Sequence, residues 1–386
     1  MNCSMMEKTT GKMTGKRNGK IDFLRFLFAV IIVLHHTRYL FGDEHSLFLG
    51  GSLAVEFFFI VSGYLMTAHA AKETASAAAG KNTADRGGRD TLADDTVRFI
   101  SRKLRTILPV FLPAWIIGFI FVTAARHLSP AAAARYFCSV FYELSLIKMS
   151  GIFIRGFDGV IWYVSAMLLC MAVLYPLLRR FPEMMPKVAA PLLVLFLYGF
   201  LCRTYDHPRN PTIWTGIVYK GIIRSFADLC LGIVCFTLCR RFRRLPWNRF
   251  ASFVFAGGEL LCYAAAVVYM YFMKPSQYDY LFIFLLCTAV LLSFSGVTAG
   301  NGMFAHPVFQ ELGKYSTALF FSHIYYAQNL NRILPESMGR TGRLGIYLLC
   351  AFGTAYAVEL FSRFLHGRKS AIMSHLGRLF LKQEAR

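Results

Sequence analysis

The sequence predicts an all-α integral membrane protein, a bundle of about ten transmembrane helices with both termini in the cytoplasm. Hydrophobic residues make up 56% of the 386 positions and charged residues only 16%, whereas soluble domains are roughly 45–50% apolar and about 25% charged. Long apolar runs recur along the whole chain, and the basic residues are unevenly divided between the segments that join them. These observations exclude an ordinary soluble domain.

The apolar runs have the length that a bilayer requires, which is about 20 residues with a range of about 17–25. A further stretch, residues 136–147, is too short to span and is predicted to be interfacial or re-entrant. The predicted spans are 22–41, 53–70, 106–124, 160–178, 188–202, 217–239, 251–273, 280–297, 315–330 and 344–365.

The basic residues predict the orientation of these spans. If the N-terminus is cytoplasmic and the spans alternate, 28 of the 42 Lys and Arg residues fall in cytoplasmic segments and 11 in outer segments. The other three, Arg25, Lys220 and Arg224, lie within spans. Positive charge concentrates on the cytoplasmic side of membrane proteins. Topology therefore accounts for the net charge of +21, and no nucleic-acid partner is predicted.

The chain divides into a basic cytoplasmic segment (1–20), a transmembrane domain (21–365) and a basic cytoplasmic tail (366–386). Residues 71–95 are rich in Ala, Gly, Asp and Thr and poor in large apolar residues, so we predict a disordered cytoplasmic loop there. The ten cysteines lie mostly within apolar runs and lack metal-binding spacing. We expect buried free thiols and no metal.

Ionisable residues in the first two spans are the first candidates for function, because each costs about 2.5–3.5 kcal/mol to insert. Arg25 and His36 are eleven residues apart, which places them on one helical face with a rise of roughly 16 Å between them. Glu56 lies at a comparable depth to His36 in the next, antiparallel span. A carboxylate there is predicted to orient the imidazole, which is a common general base.

A second basic pair precedes the third span. Arg102 and Arg105 are three residues apart and share a helical face at the cytoplasmic boundary. Together with Arg25 they are predicted to clamp phosphate, for which guanidinium groups are well suited. A ligand with a phosphate-bearing head in the cytoplasm and a long arm towards His36 has the shape of an acyl-coenzyme A.

With these motifs the sequence resembles the acyltransferase-3 family of bacterial integral-membrane O-acyltransferases. The resemblance rests on four residue patterns in the same order and on the ten-span layout, and it extends from residue 20 to about residue 365. Many family members have Asp where this chain has Glu56. The matching residues are Arg25 and His36; Gly50, Gly51, Glu56, Phe57, Phe58, Ser62 and Gly63; Arg102, Arg105 and Pro109; and Trp162, Tyr163, Ser165, Tyr175 and Pro176.

The resemblance implies transfer of an acyl group, usually acetyl, from cytoplasmic acyl-CoA to a hydroxyl of a surface or lipid-linked glycan, by a multi-pass protein of the bacterial plasma membrane. His36 and Glu56 would be catalytic, and Arg25, Arg102 and Arg105 would bind the donor. Trp162, Tyr163 and His323 are further candidates for contacts with the acceptor substrate.

Two other interpretations remain open. One is a proton-coupled secondary transporter of a polar or anionic solute, with Arg25, His36 and Glu56 as its site. The other is a non-catalytic subunit of a glycan-export assembly. Against a transporter, the sequence shows no internal repeat and no pair of interrupted spans in corresponding halves. The predicted partners are the glycan acceptor and membrane lipids, and the sequence does not predict an oligomeric state.

Overall fold

The computed structural model describes residues 18–78, 91–152 and 156–383, and it is a helical bundle with no β-strand in these ranges. Nine of the helices in this part of the chain are long and apolar enough to cross a membrane. The all-α membrane bundle predicted from the sequence is therefore confirmed. The helices are α1 (Gly19–His35), α2 (Ala54–Ala78), α3 (Leu92–Ala125), α4 (Pro130–Val140), α5 (Ile161–Arg180), α6 (Ala190–Tyr205), α7 (Lys220–Phe242), α8 (Arg249–Phe272), α9 (Tyr278–Ser295), α10 (Pro307–Ser322), α11 (Ile324–Asn329) and α12 (Arg340–Gln383).

The ninth predicted span, 315–330, is occupied by two helices rather than one. Helix α10 ends at Ser322 and α11 begins at Ile324, so the break falls at His323. Helices α1 and α10 pack side by side and run parallel, since Asp22 lies against Gly313 near their N-termini and His36 meets His323 at the other end. We call the end where α1 begins the basic end and the end where it stops the histidine end.

Helices α2 and α7 form another close pair in the core. A Cβ atom on Gly63 would come within 2.3 Å of the Leu229 carbonyl oxygen, and one on Gly232 within 2.3 Å of the Ile60 carbonyl oxygen. Small residues at a helix crossing let two backbones approach inside a membrane. This crossing fixes the position of Glu56, which lies in the first turn of α2, against α7.

Three segments differ from the sequence prediction. Residues 71–78 continue α2 and residues 92–95 begin α3, so both ends of the predicted loop 71–95 are helical; its middle, 79–90, lies outside the described residues. Alanine, which suggested a linker, is also the best helix former. The Thr91–Asp94 capping box starts α3 well before the predicted residue 106. Helix α12 continues past the end of the last predicted span at residue 365, as far as Gln383.

Candidate active site

Helix α1 carries Arg25 and His36, and both side chains face α10. The helix starts at Asn18, whose side chain accepts hydrogen bonds from the backbone of Lys20 and Ile21. Arg25 is half-buried near the basic end, with one guanidinium nitrogen 3.4 Å from the Thr317 hydroxyl. His36 is the residue that ends the helix at the opposite end. The helical face that Arg25 and His36 were predicted to share is thus the face that packs against α10.

His36 and His323 form a pair of histidines at the break between α10 and α11. Nδ1 of His36 lies 3.1 Å from Nε2 of His323, and the ring centres are 5.0 Å apart. His323 is fully buried, and His36 is partly accessible. The break at His323 therefore places a second imidazole directly beside the first.

The backbone carbonyl groups beside the two histidines indicate which nitrogen of each neutral ring carries the proton. Nδ1 of His323 lies 3.1 Å from the Leu319 carbonyl oxygen, which only accepts hydrogen bonds, so Nδ1 carries the proton and Nε2 is an acceptor. Nδ1 of His36 lies 2.8 Å from the Ile32 carbonyl oxygen and also faces that His323 acceptor. Nδ1 of His36 is therefore assigned as the donor, which leaves the Nε2 lone pair of His36 available as a base or nucleophile.

Glu56 does not take part in this pair. Its carboxylate forms a 2.6 Å ion pair with Arg224 of α7, and both side chains are fully buried. Arg224 also donates to the Ser52 carbonyl oxygen at 3.1 Å. In the described part of the chain, the hydrogen bonds of the His36 ring go to Ile32 and His323. The prediction that Glu56 orients His36 is thus corrected: the neighbour of His36 is His323.

A cavity of about 620 Å³ lies among α1, α2, α3, α5, α10 and α12, towards the basic end. This volume is typical of a small-molecule or cofactor site, which usually measures about 300–1,000 Å³. Its inner part is lined by aromatic rings, including Phe58, Tyr163 and Phe320. The innermost lining residue on α10, Phe321, comes two positions before His323, or about 3 Å along the axis. The cavity therefore approaches the histidine pair from the basic end.

Among the described residues, the cations that line this cavity are Arg25, Lys103, Lys314 and Arg363. Lys314 and Arg363 are engaged with acidic neighbours, Lys314 with Glu311 at 2.8 Å and Arg363 with both Glu311 and Glu359. Lys103 has no acidic partner among the residues that the structure describes, and it lies close enough to Arg25 for the two charges to interact. Lys103 is therefore the lining cation best placed to meet an anionic ligand, and Arg25 lies beside it in the same cavity.

Arg102 and Arg105, which the sequence placed beside Arg25, are absent from the cavity lining and are exposed. Successive residues on a helix are rotated by about 100°, so Lys103 points into the bundle whereas Arg102 does not. The predicted basic partner of Arg25 on this segment is accordingly corrected to Lys103.

The two aromatic candidates on α5 lie inside the bundle. Trp162 packs against the guanidinium of Arg224, whose carbon is 5.4 Å from the ring centre. Tyr163 lines the cavity and contacts the rings of Phe59 and Phe320. Of the three residues suggested for the acceptor, His323 contacts His36, Tyr163 faces the cavity and Trp162 covers an ion pair.

A separate acidic cluster lies in the loops between α3 and α5. Glu143 is fully buried and accepts a hydrogen bond from the Trp115 indole at 3.2 Å, while Lys148 lies 3.3 Å from its other oxygen. Asp158 is also buried, and its backbone N–H lies 3.5 Å from Glu143. Burial raises the pKa of Glu143, and burial together with the charge of Glu143 raises the pKa of Asp158 to about 8.

Residues 18–361 match a family model described as an acyltransferase domain, which covers most of the chain. The chain belongs to the acyltransferase-3 family. It is thus a multi-pass membrane acyltransferase. No curated protein and no solved structure matches it in the other two comparisons.

Sequence reasoning missed the relation of His323 to His36 and the pairing of Glu56 with Arg224. Both are contacts between residues far apart in the chain, which helical periodicity does not report. One signal was available in each case. His323 is a histidine within an apolar run, and Arg224 is a buried cation that needs an acid from some helix.

Proposed function

We propose that this acyltransferase moves an acyl group, acetyl in the first instance, from cytoplasmic acyl-CoA to a hydroxyl of a surface or lipid-linked glycan at the outer side of the bacterial plasma membrane. The observation that carries the proposal is the alignment of the cavity with the histidine pair. Cations lie at the basic end of the cavity, aromatic rings line its interior, and the Nε2 lone pair of His36 lies beyond them. A thioester with a phosphate-bearing head would match this arrangement, with its phosphates at the cations and its thioester at His36.

Arg25 and Lys103 would hold the phosphates of the donor. They lie on two helices that meet at the cavity, and clustered cations bind phosphate through charge-assisted hydrogen bonds. From Arg25 to His36 the rise along α1 is roughly 16 Å. The pantetheine arm would cross that distance past Phe58, Tyr163 and Phe320, with its thioester next to His36.

The chemistry follows from the proton assignment on His36. In direct transfer, Nε2 removes the proton from the acceptor hydroxyl, and the oxygen attacks the thioester carbonyl. The tetrahedral intermediate then collapses, the C–S bond breaks, and the thiolate takes the proton from the imidazolium to give free coenzyme A and an ester. His323 accepts a hydrogen bond from Nδ1 of His36 throughout, so it stabilises the imidazolium while that cation exists.

A covalent route uses the same nitrogen. Nε2 attacks the thioester carbonyl, the C–S bond breaks, and the products are the thiolate of coenzyme A and an acyl-imidazolium that keeps its proton on Nδ1. The acceptor oxygen then attacks the acyl carbon, the C–N bond breaks to return neutral His36, and the hydroxyl proton neutralises the thiolate. Labelled acetyl-CoA supplied without acceptor distinguishes the two routes. Label retained on the protein, and lost in His36→Ala, supports the carrier route; active enzyme that never retains label supports direct transfer.

The test of the proposed function is release of coenzyme A by purified protein in liposomes that contain a cell-envelope glycan extract. Wild type is expected to release coenzyme A and to label the glycan from [¹⁴C]acetyl-CoA, and His36→Ala is expected to do neither. Arg244→Gln, which changes an exposed cation away from the cavity, is the matched control. The proposal fails if wild type consumes no acyl-CoA with any envelope glycan present, or if His36→Ala is as active as wild type.

A transporter remains the second candidate because of the break at His323. Discontinuous helices form substrate sites in many secondary transporters, and this break lies at the histidine pair. Transport of a solute in sealed liposomes, dependent on His36 and independent of acyl-CoA, would favour it. Family membership favours the acyltransferase.

A further inference from the structure

Helix α3 has one face that lines the cavity of the proposed reaction and a second face that does not. Lys103 and Val110 line the cavity described above. Arg105 lies about 160° from Lys103 around the helix at 100° per residue. Leu108, Leu112 and Ile116 follow Arg105 at spacings of three and four, so they continue its face.

This second face forms one wall of an apolar groove. The groove measures about 540 Å³ and lies between α3 and α12. Leu112 and Ile116 are 37% and 53% exposed, as expected of side chains that face lipid. In the part of the chain whose side chains the structure describes, the lining residues are all apolar, among them Leu108, Leu112, Ile116, Val358, Phe361 and Leu365.

The length of the groove matches one leaflet of a membrane. On α3 the lining extends over residues 108–117, which is about 14 Å at 1.5 Å per residue. Half of a hydrocarbon core of about 30 Å is about 15 Å. A membrane offers hydrocarbon chains to such a surface, and a groove of this length holds one chain of the leaflet at the basic end.

The charges at the end of the groove identify the headgroup. Arg105 and Arg102 come three and six residues before Leu108, or about 4.5 and 9 Å further towards the basic end. Both are exposed, and neither has an acidic partner in the described part of the chain. Arg102 donates one hydrogen bond, to the Arg98 carbonyl oxygen at 3.4 Å. Two guanidinium groups that have no acidic partner among the described residues, beyond the mouth of a hydrocarbon groove, are complementary to a phosphate headgroup.

We propose that the groove between α3 and α12 binds an anionic glycerophospholipid of the leaflet at the basic end, with one acyl chain along Leu112 and Ile116 and its phosphate on Arg102 and Arg105. A lipid-linked glycan acceptor is a poorer fit. Its sugar must reach His36 at the histidine end, whereas the arginines of the groove lie at the basic end.

Native mass spectrometry of the detergent-purified protein tests the proposal, with dioleoyl-phosphatidylglycerol and dioleoyl-phosphatidylcholine as the probes. Wild type is expected to retain phosphatidylglycerol in preference to phosphatidylcholine. Arg102→Gln/Arg105→Gln is expected to bind phosphatidylglycerol about 30-fold more weakly, which converts to about 2 kcal/mol for two cations near a phosphate. Leu112→Trp, which fills the groove and keeps both arginines, is expected to reduce retention of both lipids.

The matched control is Arg244→Gln/Arg249→Gln, which removes two exposed cations at the same end of the bundle but away from the groove. Retention equal to wild type in this control supports the proposal. Unchanged retention in Arg102→Gln/Arg105→Gln, or an equal loss in the control, overturns it. If the arginine double variant does not fold, Leu112→Trp decides, since unchanged retention there also overturns the proposal. Lipid retention is read without an enzyme assay, so failure of the proposed function leaves this result standing.

Discussion

The assignment of His323 as the partner of His36 makes a quantitative prediction. The neutral His36 ring keeps its proton on Nδ1 even without His323, because the Ile32 carbonyl oxygen lies 2.8 Å away. What His323→Ala removes is the acceptor 3.1 Å from Nδ1, which matters most when His36 is an imidazolium. A hydrogen bond to a charged group contributes about 1.5–3 kcal/mol. We therefore expect kcat to fall about 10- to 150-fold, with the KM for acyl-CoA unchanged.

The assay is initial-rate release of coenzyme A in liposomes, with equal amounts of folded protein verified by size-exclusion chromatography. His323→Gln is the informative second variant, since the side-chain oxygen of Gln supplies an acceptor in place of Nε2. It is expected to recover part of the kcat that His323→Ala loses. A kcat of His323→Ala within twofold of wild type, or a loss that appears in KM alone, would refute the assignment.

Three further predictions concern other parts of the bundle. Glu56→Gln removes the carboxylate that is ion-paired with the fully buried Arg224, so we expect a loss of about 3–5 kcal/mol of stability, measured as a lower melting temperature in detergent. The double variant Glu56→Gln/Arg224→Gln should recover part of that stability. A Glu56→Gln variant that melts at the same temperature as wild type contradicts the pairing. Lys103→Gln should raise the KM for acyl-CoA with little change in kcat, whereas Arg244→Gln should leave both unchanged; equal KM values for the two variants would remove Lys103 from the donor site. Because the pKa of Asp158 is raised to about 8 when folded and is about 3.9 when unfolded, the folded state holds a proton that the unfolded chain releases, and stability falls as the pH rises between these values. Wild type should lose about 3 kcal/mol between pH 6 and pH 9, measured as a drop in melting temperature. Asp158→Asn should lose most of that dependence, and an equal drop in Asp158→Asn contradicts the assignment.

The sequence predicted the membrane bundle well because the signal is local. Each span needs its own apolar run, and nine of the ten predicted positions hold helices of membrane-spanning length in the part of the chain that the structure describes. The misses came where local composition has two meanings. The Ala-rich residues 71–78 suggested a linker and continue α2, and the break at His323 lies within an apolar run that shows no Pro or Gly at that point.

Of the candidate site, the sequence predicted only the relation between residues on the same helix. Arg25 and His36 lie on a common face of α1, and their spacing alone placed them there. The partner of His36 depends on how helices distant in the chain pack together. Depth in the membrane alone does not show whether that partner is the Glu56 carboxylate or the His323 imidazole. Glu56 was chosen because it lies in the adjacent span, but the buried cation of Arg224 holds it, and the broken helix brings His323 to His36 instead.

In the proposed reaction, a donor bound at the basic end supplies an acyl group to a hydroxyl at the histidine end through His36. Its most direct test is sided acetyl transfer in sealed liposomes with protein of one known orientation. [¹⁴C]acetyl-CoA is supplied only at the face that carries Lys103, and the glycan acceptor is confined to the opposite face. Label is expected on the glycan with wild type and is not expected with His36→Ala. Label that appears only when donor and acceptor share a face, or that persists in His36→Ala, would contradict it.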